Sequence, residues 1–458
     1  MPGNSQKPVT HKEPRDGFNP WAAGHTDPHS ALGVGALAGI LAAKYVMEQY
    51  SLKGTLKFFG EPAEKVCGSK PVHAAKGYYD DLDAALCYHP SGYNTSLWET
   101  HNGAYWSTVF IFECIEPEKW FKPVSDMRMG GHAGGRAPAA IDAVCLMYTT
   151  TKYTKEAMLP HGSYWTLNEY IMVAGQCTSD NLPPRISAIE YAWRVPTLRM
   201  AQQIYDVLEN NAKHMAEITF CRLTTRWVTK TRVGLPNQSI AETFYRNLEF
   251  VGAPEYNGDS KKVGREIQKN LGYEPMEDPF TDECQKLTSP QEYEAIQRKN
   301  LEPWQKHFGA DDYVEYSWHA PALRAYTAKA VLRATEPDMT YGQEIGSYTN
   351  TEERYVYPAW AQNAMGGIPS TIDPCIFVAG KALGCTYIDL LINPKELERA
   401  QFEFRERTGG GVGGSKWVPP LLPKNFETCI DLRWPEYIST IRGEEWWIPK
   451  PTKYNLSS

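Results

Sequence analysis

The order of apolar runs near the start of the chain constrains its fold most strongly. The run Ala31–Tyr50 carries apolar side chains at helical spacing and predicts a buried or amphipathic helix. Residues 54–59 and 84–88 are short apolar runs that predict strands, each followed by a polar loop. Helix, strand, loop and strand in this order are typical of an α/β fold. Because open α/β sheets carry their chemistry beyond the carboxyl ends of strands, Glu64 and His89 lie where reactive groups are expected.

The pattern changes near residue 102 and predicts a second unit inserted into the first. Strands and helices alternate there in an order that indicates a small sheet with two helices on one face. The segments are residues 107–114, 139–148, 186–195, 199–218 and 219–228. Helical segments resume at residues 239–249, 290–308 and 394–407, whereas residues 254–288 show no clear element. We therefore expect a catalytic α/β domain of residues 1–103 and 234–458, and an inserted α+β lid domain of residues 104–233.

Charge and cysteine spacing restrict the partners and the compartment. The 458 residues include 47 Lys and Arg against 54 Asp and Glu, a net charge of −7 without basic clustering, which argues against nucleic acid. The most apolar stretch, residues 31–43, is shorter than the roughly 20 residues that span a bilayer, so we expect no membrane association. None of the ten cysteines forms a CxxC pair. Isolated thiols of this kind favour a cytoplasmic protein.

The densest group of metal-ligand side chains lies directly before the first predicted helix. Asp27 and His29 are two residues apart in the sequence GHTDPH, and the proline between them stiffens the turn. Carboxylate and imidazole together suit Zn²⁺, Mn²⁺ or Fe²⁺. In the alternative interpretation, Asp27 caps the helix and the histidines face solvent.

Two further candidates follow predicted strands. Glu64 precedes Lys65 in the loop after residue 59, where a carboxylate can act as a general base or can form an exposed ion pair with the lysine. His89 follows the strand at residues 84–88 and precedes a proline, a position where a lone histidine is usually structural.

Taken in order, these segments resemble a known family. It is the dinuclear zinc metallopeptidase and amidohydrolase family of aminoacylases, aminobenzoyl-glutamate hydrolase and auxin-conjugate hydrolases. The resemblance continues through the lid and into the C-terminal third of the chain. The matching segments are GHTDPHSALGVGALAG, PAEK, DDLDAALCYHP, GRAPAAIDAVCLM, NLPPRISAIEYAWRVP, GLPNQSIAETFYRNLEFVG, the Ser317-Trp318-x-x-Pro321 stretch and FEFRERTGG. The fold implied is a mixed-sheet metallopeptidase-like catalytic domain with an inserted α+β lid that serves dimerisation.

The resemblance also implies roles for individual residues. Asp27, His29 and His89 correspond to metal ligands of the family, and Glu64 corresponds to its general base. Lys65, however, stands where the family has a ligand glutamate, and Pro358 stands near the position of its C-terminal ligand histidine. The lid histidine that polarises the scissile carbonyl in the family has no counterpart near residues 116–120.

These departures predict a site that holds at most a single Zn or Mn ion, and none if the chemistry is metal-independent. An ammonium near a divalent cation would repel it by several kcal/mol at an effective dielectric of about 20. Lys65 has three interpretations. It replaces the charge of the lost ion beside a developing oxyanion, it acts as a base or imine-forming amine, or it fills an emptied site through a salt bridge.

We therefore expect an amidohydrolase-like enzyme that acts on an amide-type C–N bond of a small acyl-amino or related substrate, without the usual two-metal centre. Glu64 and Lys65 are the predicted catalytic residues, and Asn181 and Trp318 are predicted to contact the substrate. Two alternatives stay open: a metal-independent biosynthetic enzyme that forms or rearranges C–N or C–C bonds, and a catalytically dead protein that only binds its ligand. The resemblance implies a homodimer, and it predicts that the family's opening α/β stretch is missing here.

Overall fold

The computed structural model describes residues 29–116, 119, 136–159, 164–175, 182–334, 355–429, 436–440 and 443–447. Its helices and sheets form a mixed α/β architecture, which confirms the predicted fold class. The α-helices are α1 (Ser30–Tyr50), α2 (Lys70–Ala75), α3 (Ala140–Met158), α4 (Leu198–Ile218), α5 (Gln238–Val251), α6 (Gly258–Asn270), α7 (Pro290–Arg298), α8 (Ala359–Ala364), α9 (Pro369–Ile392) and α10 (Pro394–Thr408). Short 3₁₀ helices cover Glu64–Val66, Asp282–Gln285 and Asp312–Trp318.

The strands of the described residues form four separate sheets. They are β1 (Ala85–Ser91), β2 (Thr95–Ser96), β3 (His101–Asn102), β4 (Ala104–Cys114), β5 (Thr166–Val173), β6 (Ile186–Val195), β7 (Cys221–Lys230), β8 (His307–Phe308), β9 (Ala322–Ala328), β10 (Glu436–Thr440) and β11 (Gly443–Trp447). The orders are β1-β9-β2, β5-β6-β4-β7, β3-β8 and β10-β11.

The four-stranded sheet β5-β6-β4-β7, called here the lid sheet, is antiparallel throughout. Its central strand β4 is buried along its whole length. Side chains from one face, among them Phe110 and Trp193, share a core with buried residues of α3 and α4, such as Val144 and Ile204. The amphipathic spacing of α4 explains this packing, because one face supplies apolar residues and the other is polar. The division of the chain into domains at residues 103 and 233 stays a prediction.

Helices α1 and α9 pack against each other through small residues. A Cβ atom added to Gly39 would lie 2.7 Å from the Cβ atom of Leu383, and one added to Gly380 would lie 2.8 Å from that of Ala38. Both helices are also long and apolar enough to cross a bilayer, although buried core helices share that composition. The helix α1 is longer than the apolar run 31–43, so the absence of membrane association stays a prediction.

The three-stranded sheet positions the candidate site. Strand β1 pairs in parallel with β9 from Ala85 opposite Ala322 to Ser91 opposite Ala328, and β2 joins the other edge of β9 in antiparallel fashion. The sheet is therefore mixed. His89 lies near the carboxyl end of β1, as the sequence predicts.

Three local predictions were wrong. Residues 54–59 are not a strand, because they pair with no neighbour among the described residues. The predicted helix 290–308 ends at Arg298, and its last two residues instead form β8. Residues 254–288 contain α6, a helix whose apolar face is narrow and whose Asn257 side chain caps the first turn.

Candidate active site

Three side chains from separate elements converge at the carboxyl end of β1. His29 immediately precedes α1, Glu64 begins a 3₁₀ helix, and His89 lies in β1. The residue before Glu64, Ala63, has a φ of 59°, a left-handed conformation that turns the chain abruptly into the 3₁₀ helix. One ligand-type atom from each of the three side chains lies within 4.8 Å of the other two.

The individual contacts within this group are close. Nε2 of His29 lies 3.3 Å from Nε2 of His89 and 3.5 Å from Oε2 of Glu64. Nδ1 of His89 lies 2.6 Å from the carbonyl oxygen of Pro90, so it is the natural donor of that ring. This leaves Nε2 of His89 with a lone pair directed at the group. Burial lowers the pKa of His89 to about 3, and the nearby Arg324 guanidinium adds to the effect, so the imidazole is neutral.

The Glu64 carboxylate is only partly satisfied. Its Oε2 atom is buried and has no hydrogen bond from the described residues, despite the 3.5 Å approach of His29. A buried carboxylate oxygen without a donor is costly unless a cation or proton occupies the space beside it. The two imidazole nitrogens suit Zn²⁺ or Mn²⁺, and the carboxylate beside them can either complete the donor set or accept a proton from a bound water. The described residues therefore fit a single divalent ion.

The other predicted site residues do not belong to this group of three. Lys65 follows Glu64 in the 3₁₀ helix and is exposed. The indole N–H of Trp318 donates to the carbonyl oxygen of Val233 at 2.6 Å, a contact that accounts for this buried tryptophan structurally. Its contact with substrate stays a prediction. Asp27 and Asn181 lie outside the described residues, so their predicted roles as metal ligand and substrate contact stay predictions.

A second cluster of charged groups, not found by sequence reasoning, lies beside Glu64. Ligand-type oxygens of Glu64, Asp311 and Asp312 lie within 4.8 Å of one another. Asp312 accepts a hydrogen bond of 2.8 Å from the buried Lys70 ammonium, and Asp311 forms a close ion pair with the buried Arg324. These two cations compensate the aspartates. A further divalent ion at the same place would be repelled by them.

Burial controls the protonation of this second cluster. It raises the pKa of Asp312 to about 8, although the Lys70 ammonium opposes the shift. The neighbouring Asp311 behaves differently, because burial raises its pKa but the Arg324 guanidinium, together with weaker effects such as that of Lys70, holds the pKa of this carboxyl below its usual value. The Oδ2 atom of Asp312 and the Nε atom of Arg324 are buried, and neither has a hydrogen-bond partner in the part of the chain that the structure describes.

Two tyrosines and a histidine contact a neighbouring carboxylate, that of Glu61. The hydroxyl groups of Tyr79 and Tyr316 donate to its Oε1 atom at 2.6 and 2.8 Å. Nδ1 of His73 lies 2.8 Å from Oε2, but out of line for a hydrogen bond. Glu61 lies three residues before Glu64. Its contacts therefore hold this part of the chain against His73 of α2 and against the 3₁₀ helix Asp312–Trp318.

Two sequence signals could have revealed these clusters. Arg324 stands in the middle of the apolar strand sequence ALRAYTA, and a buried charge there requires a partner. Asp311 and Asp312 are adjacent acidic residues directly before the aromatic segment YVEYSW. Asp311 pairs with Arg324, and Asp312 pairs with Lys70. No local sequence pattern reveals which cation each aspartate pairs with.

A relative of known function shares part of the sequence. The chain is 28% identical over 252 residues to one of the subunits of p-aminobenzoyl-glutamate hydrolase from Escherichia coli strain K12. This match confirms the family resemblance. It covers 55% of this chain and 49% of the relative, so it spans about half the length of that protein. No protein-family model matches the chain.

Solved structures give looser matches. An aminobenzoyl-glutamate utilization protein from Klebsiella pneumoniae superposes with a TM-score of 0.41 and 13% identity, covering 77% of this chain and 67% of that one. A dinuclear metal-binding peptidase of the M20 family from Bacillus subtilis superposes with a TM-score of 0.38 and 12% identity, covering 80% and 73%. A protein of methicillin-resistant Staphylococcus aureus, provisionally named an aminohydrolase, gives 0.44 and 14%, covering 85% and 79%.

Proposed function

We propose that this chain hydrolyses an amide-type C–N bond in a small acyl-amino substrate and uses one divalent ion at most. The observation that carries the proposal is the convergence of His29, Glu64 and His89 at the end of β1. The sequence relationship to p-aminobenzoyl-glutamate hydrolase supports the reaction class.

His29 and His89 would hold the ion through their Nε2 atoms, with the predicted third ligand, Asp27, two residues before His29 in the chain. When bound, the ion would act as a Lewis acid toward the substrate carbonyl. The buried Oε2 atom of Glu64, 3.5 Å from Nε2 of His29, would accept the proton of the attacking water. The same carboxyl group would then deliver a proton to the leaving amine nitrogen, so the proton is conserved over the cycle.

Two positions of the sequence and two ion pairs argue against a second ion. Lys65 and Pro358 stand where the family resemblance calls for a glutamate and a histidine, and neither can act as a ligand at neutral pH. The aspartates nearest to Glu64 are already paired with Lys70 and Arg324. A dinuclear centre would therefore lack ligands here.

A metal-independent enzyme is the second candidate, and the presence of Lys65 beside Glu64 favours it. In that case the Lys65 amine and the Glu64 carboxyl would perform acid–base work in forming or rearranging a C–N or C–C bond. The exposure of Lys65 leaves it accessible to a substrate carbonyl.

Metal analysis combined with activity distinguishes these proposals. The purified chain is loaded with Zn²⁺ or Mn²⁺, its metal content is measured by mass spectrometry, and N-acyl amino acids and p-aminobenzoyl-glutamate are assayed before and after chelation. We expect one equivalent of metal per chain, lost in the double variant His29→Ala/His89→Ala, and hydrolysis that chelation abolishes. Activity that survives complete metal removal supports the second candidate, and two tightly bound ions per chain would overturn both.

A further inference from the structure

Two cysteines, Cys114 and Cys221, lie directly opposite each other at one end of the lid sheet. Cys114 is the last residue of β4, Cys221 is the first residue of β7, and the two are partners in the antiparallel register. No other register position of the described strands places two cysteines opposite each other. Neither cysteine belongs to a disulfide in the structure. The fold thus brings together two thiols that are far apart in the sequence.

The backbone hydrogen bonds of Cys114 show what kind of register position this is. Its N–H donates to the carbonyl oxygen of Arg185 at 2.7 Å, on the side of β4 that faces β6. In an antiparallel sheet the N–H and C=O groups of one residue point to the same side, so Cys114 directs neither group at β7. Cys114 and Cys221 therefore form a non-hydrogen-bonded pair, in which the Cα atoms are about 4.5 Å apart and the side chains are closest. Disulfides join Cα atoms about 4.4–6.8 Å apart, so the backbone already has a suitable spacing.

The two side chains lie on the same face of the sheet and contact each other. Cys114 is buried in the core that the lid sheet shares with α3 and α4, and Cys221 packs against the same core. Burial is the largest cause that raises the pKa of Cys221 to about 11, and a hydrogen bond between the two thiols adds to the effect. The Cys221 thiol also donates a weak hydrogen bond to the carbonyl oxygen of Thr219 at 3.6 Å. A bond between the two sulfurs therefore requires rotation of side chains rather than movement of a strand.

Only one of the two thiols is accessible from solvent. Cys221 is half-buried and lines a surface cavity of about 490 Å³, whereas Cys114 is 6% exposed. The charged side chains of this cavity are Glu116, Lys213 and Glu217. A small reagent therefore reaches Cys221 first, and Cys114 can react only with the sulfur beside it.

We propose that Cys114 and Cys221 form a reversible, redox-sensitive cross-link of the lid sheet by exchange with a small disulfide such as oxidised glutathione. The thiolate of Cys221 attacks one sulfur of glutathione disulfide, the S–S bond breaks, and one glutathione leaves with the proton that Cys221 lost. The thiolate of Cys114 then attacks the sulfur of Cys221, and the second glutathione leaves with the proton of Cys114. Two protein thiols are oxidised and one glutathione disulfide is reduced to two thiols. Reduced glutathione reverses the same two steps, which makes the cross-link a switch.

The cross-link is distant from the candidate active site. The hydroxyl group of Thr229 in β7 donates to the carbonyl oxygen of Cys67 at 2.6 Å, which joins the sheet to the segment that follows Glu64. Thr229 is opposite Ser107 of β4, and Cys114 lies about 23 Å farther along that strand at roughly 3.3 Å per residue. The cross-link therefore restrains the far end of the sheet, and the inference does not rest on the proposed function.

Oxidation of the full chain tests the pair directly. The reduced chain is incubated with oxidised glutathione at about pH 9, because the thiolate is the attacking form and the pKa of Cys221 is raised. Remaining thiols are blocked with N-ethylmaleimide, and disulfides are located by peptide mass spectrometry. We expect a link between Cys114 and Cys221 of one chain. The urea midpoint should rise by roughly 1 M, because the link closes a loop of about 100 residues in the unfolded chain. Dithiothreitol should reverse both changes.

Three variants separate the two thiols from the other cysteines. In Cys114→Ala, Cys221 should stop at the mixed disulfide with glutathione, and the urea midpoint should not rise. In Cys221→Ala, the buried Cys114 should stay unmodified. The matched control is Cys145→Ala, which removes an exposed thiol of α3 and should leave both the cross-link and the rise in midpoint unchanged.

The unsubstituted chain also provides outcomes that do not depend on the folding of any variant. The proposal is overturned if its Cys221 stops at the mixed disulfide, or if Cys221 links instead to a cysteine of another copy. Loss of the cross-link in Cys145→Ala would likewise overturn it. A cross-link that forms without raising the urea midpoint would overturn its role as a restraint on the lid sheet.

Discussion

The lid sheet and the three-stranded sheet differ in how completely their strands are paired. In the lid sheet, β4 is paired on both edges and buried over its full length, and two helices cover one face. In the three-stranded sheet, β1 has one edge without a partner among the described strands, and residues 54–61 and 84–88 line a cavity of about 750 Å³ beside it, called here the groove. His29, Glu64 and His89, the side chains proposed to carry the reaction, lie in the second region. Stability and chemistry are thus concentrated in different parts of the chain, and the following experiments test that separation.

The largest expected effect is on catalysis. Glu64→Gln removes the proton acceptor beside His29 and should lower kcat by roughly 100- to 10,000-fold with little change in KM. The matched control is Glu190→Gln in the lid sheet, a buried carboxyl whose pKa is raised by burial and which accepts a hydrogen bond from Ser107. We expect the control to retain full activity toward the same acyl-amino substrate. Equal losses in the two variants would remove Glu64 from the mechanism.

One phenylalanine in each region measures the difference in packing. Phe110 is fully buried in the lid sheet, whereas the side chain of Phe58 beside the groove is 47% exposed. Phe110→Ala should lower the free energy of unfolding by about 3–5 kcal/mol, since it removes a buried ring and leaves a cavity. Phe58→Ala should change it by less than about 0.5 kcal/mol in the isolated chain. Urea titration followed by tryptophan fluorescence gives both values, and a large loss in Phe58→Ala would mean that the chain itself fills the groove.

Acid sensitivity should come from beside the three-stranded sheet, where His101 of β3 contacts Tyr313, a residue of the core shared with β1. Burial lowers the pKa of His101 to about 3, so the folded chain holds this imidazole neutral while the unfolded chain protonates it below about 6.5. Its contribution is complete above that value and is lost as the pH falls toward 3. His101→Gln should therefore reduce the pH slope of the unfolding free energy by up to about 1.4 kcal/mol per unit between these limits. His214→Gln on the exposed surface of α4 is the control, and identical slopes in the two variants would contradict the assignment.

The smallest expected effect is the loss of stability when an exposed ion pair is removed, and it should be equal in the two regions. Lys44 and Glu48 on α1, and Lys213 and Glu209 on α4, are exposed ion pairs with N–O distances of 2.7 and 2.8 Å. Lys44→Ala and Lys213→Ala should each cost about 0.3–0.5 kcal/mol, and less at high salt. Thermal unfolding at two salt concentrations checks this. A cost above about 1 kcal/mol in either variant would show that surface charge contributes to the difference between the regions.

The elements predicted correctly are those whose apolar pattern is complete within one segment. The spacing of Ala31–Tyr50 and the strand Ile186–Val195 match the structure almost residue for residue. Residues 54–59 have the same kind of pattern but form no strand, because a strand requires a neighbour and the sequence of the segment does not say whether one is present. Helix α9 was missed, since it is apolar around its circumference and shows little periodicity.

The residues of the candidate site also fall into those that the sequence identified and those that it did not. His29, Glu64 and His89 were identified because each belongs to a short motif at the end of a predicted element, and the structure brings them together. The sequence did not identify the charged residues of the second cluster, Lys70, Asp311, Asp312 and Arg324. Their significance depends on contact with one another, and the Lys70–Asp312 pair joins residues more than 200 positions apart.

The sequence alone determined the α/β class, most of the helices, and the motif residues that we propose as the site, because these depend on local periodicity and on residue type. The tertiary structure decided which charges neutralise one another beside Glu64 and which edges of the described strands have no partner. Both are properties of distant segments in contact, and their energies depend on burial, which exists only once the chain has folded.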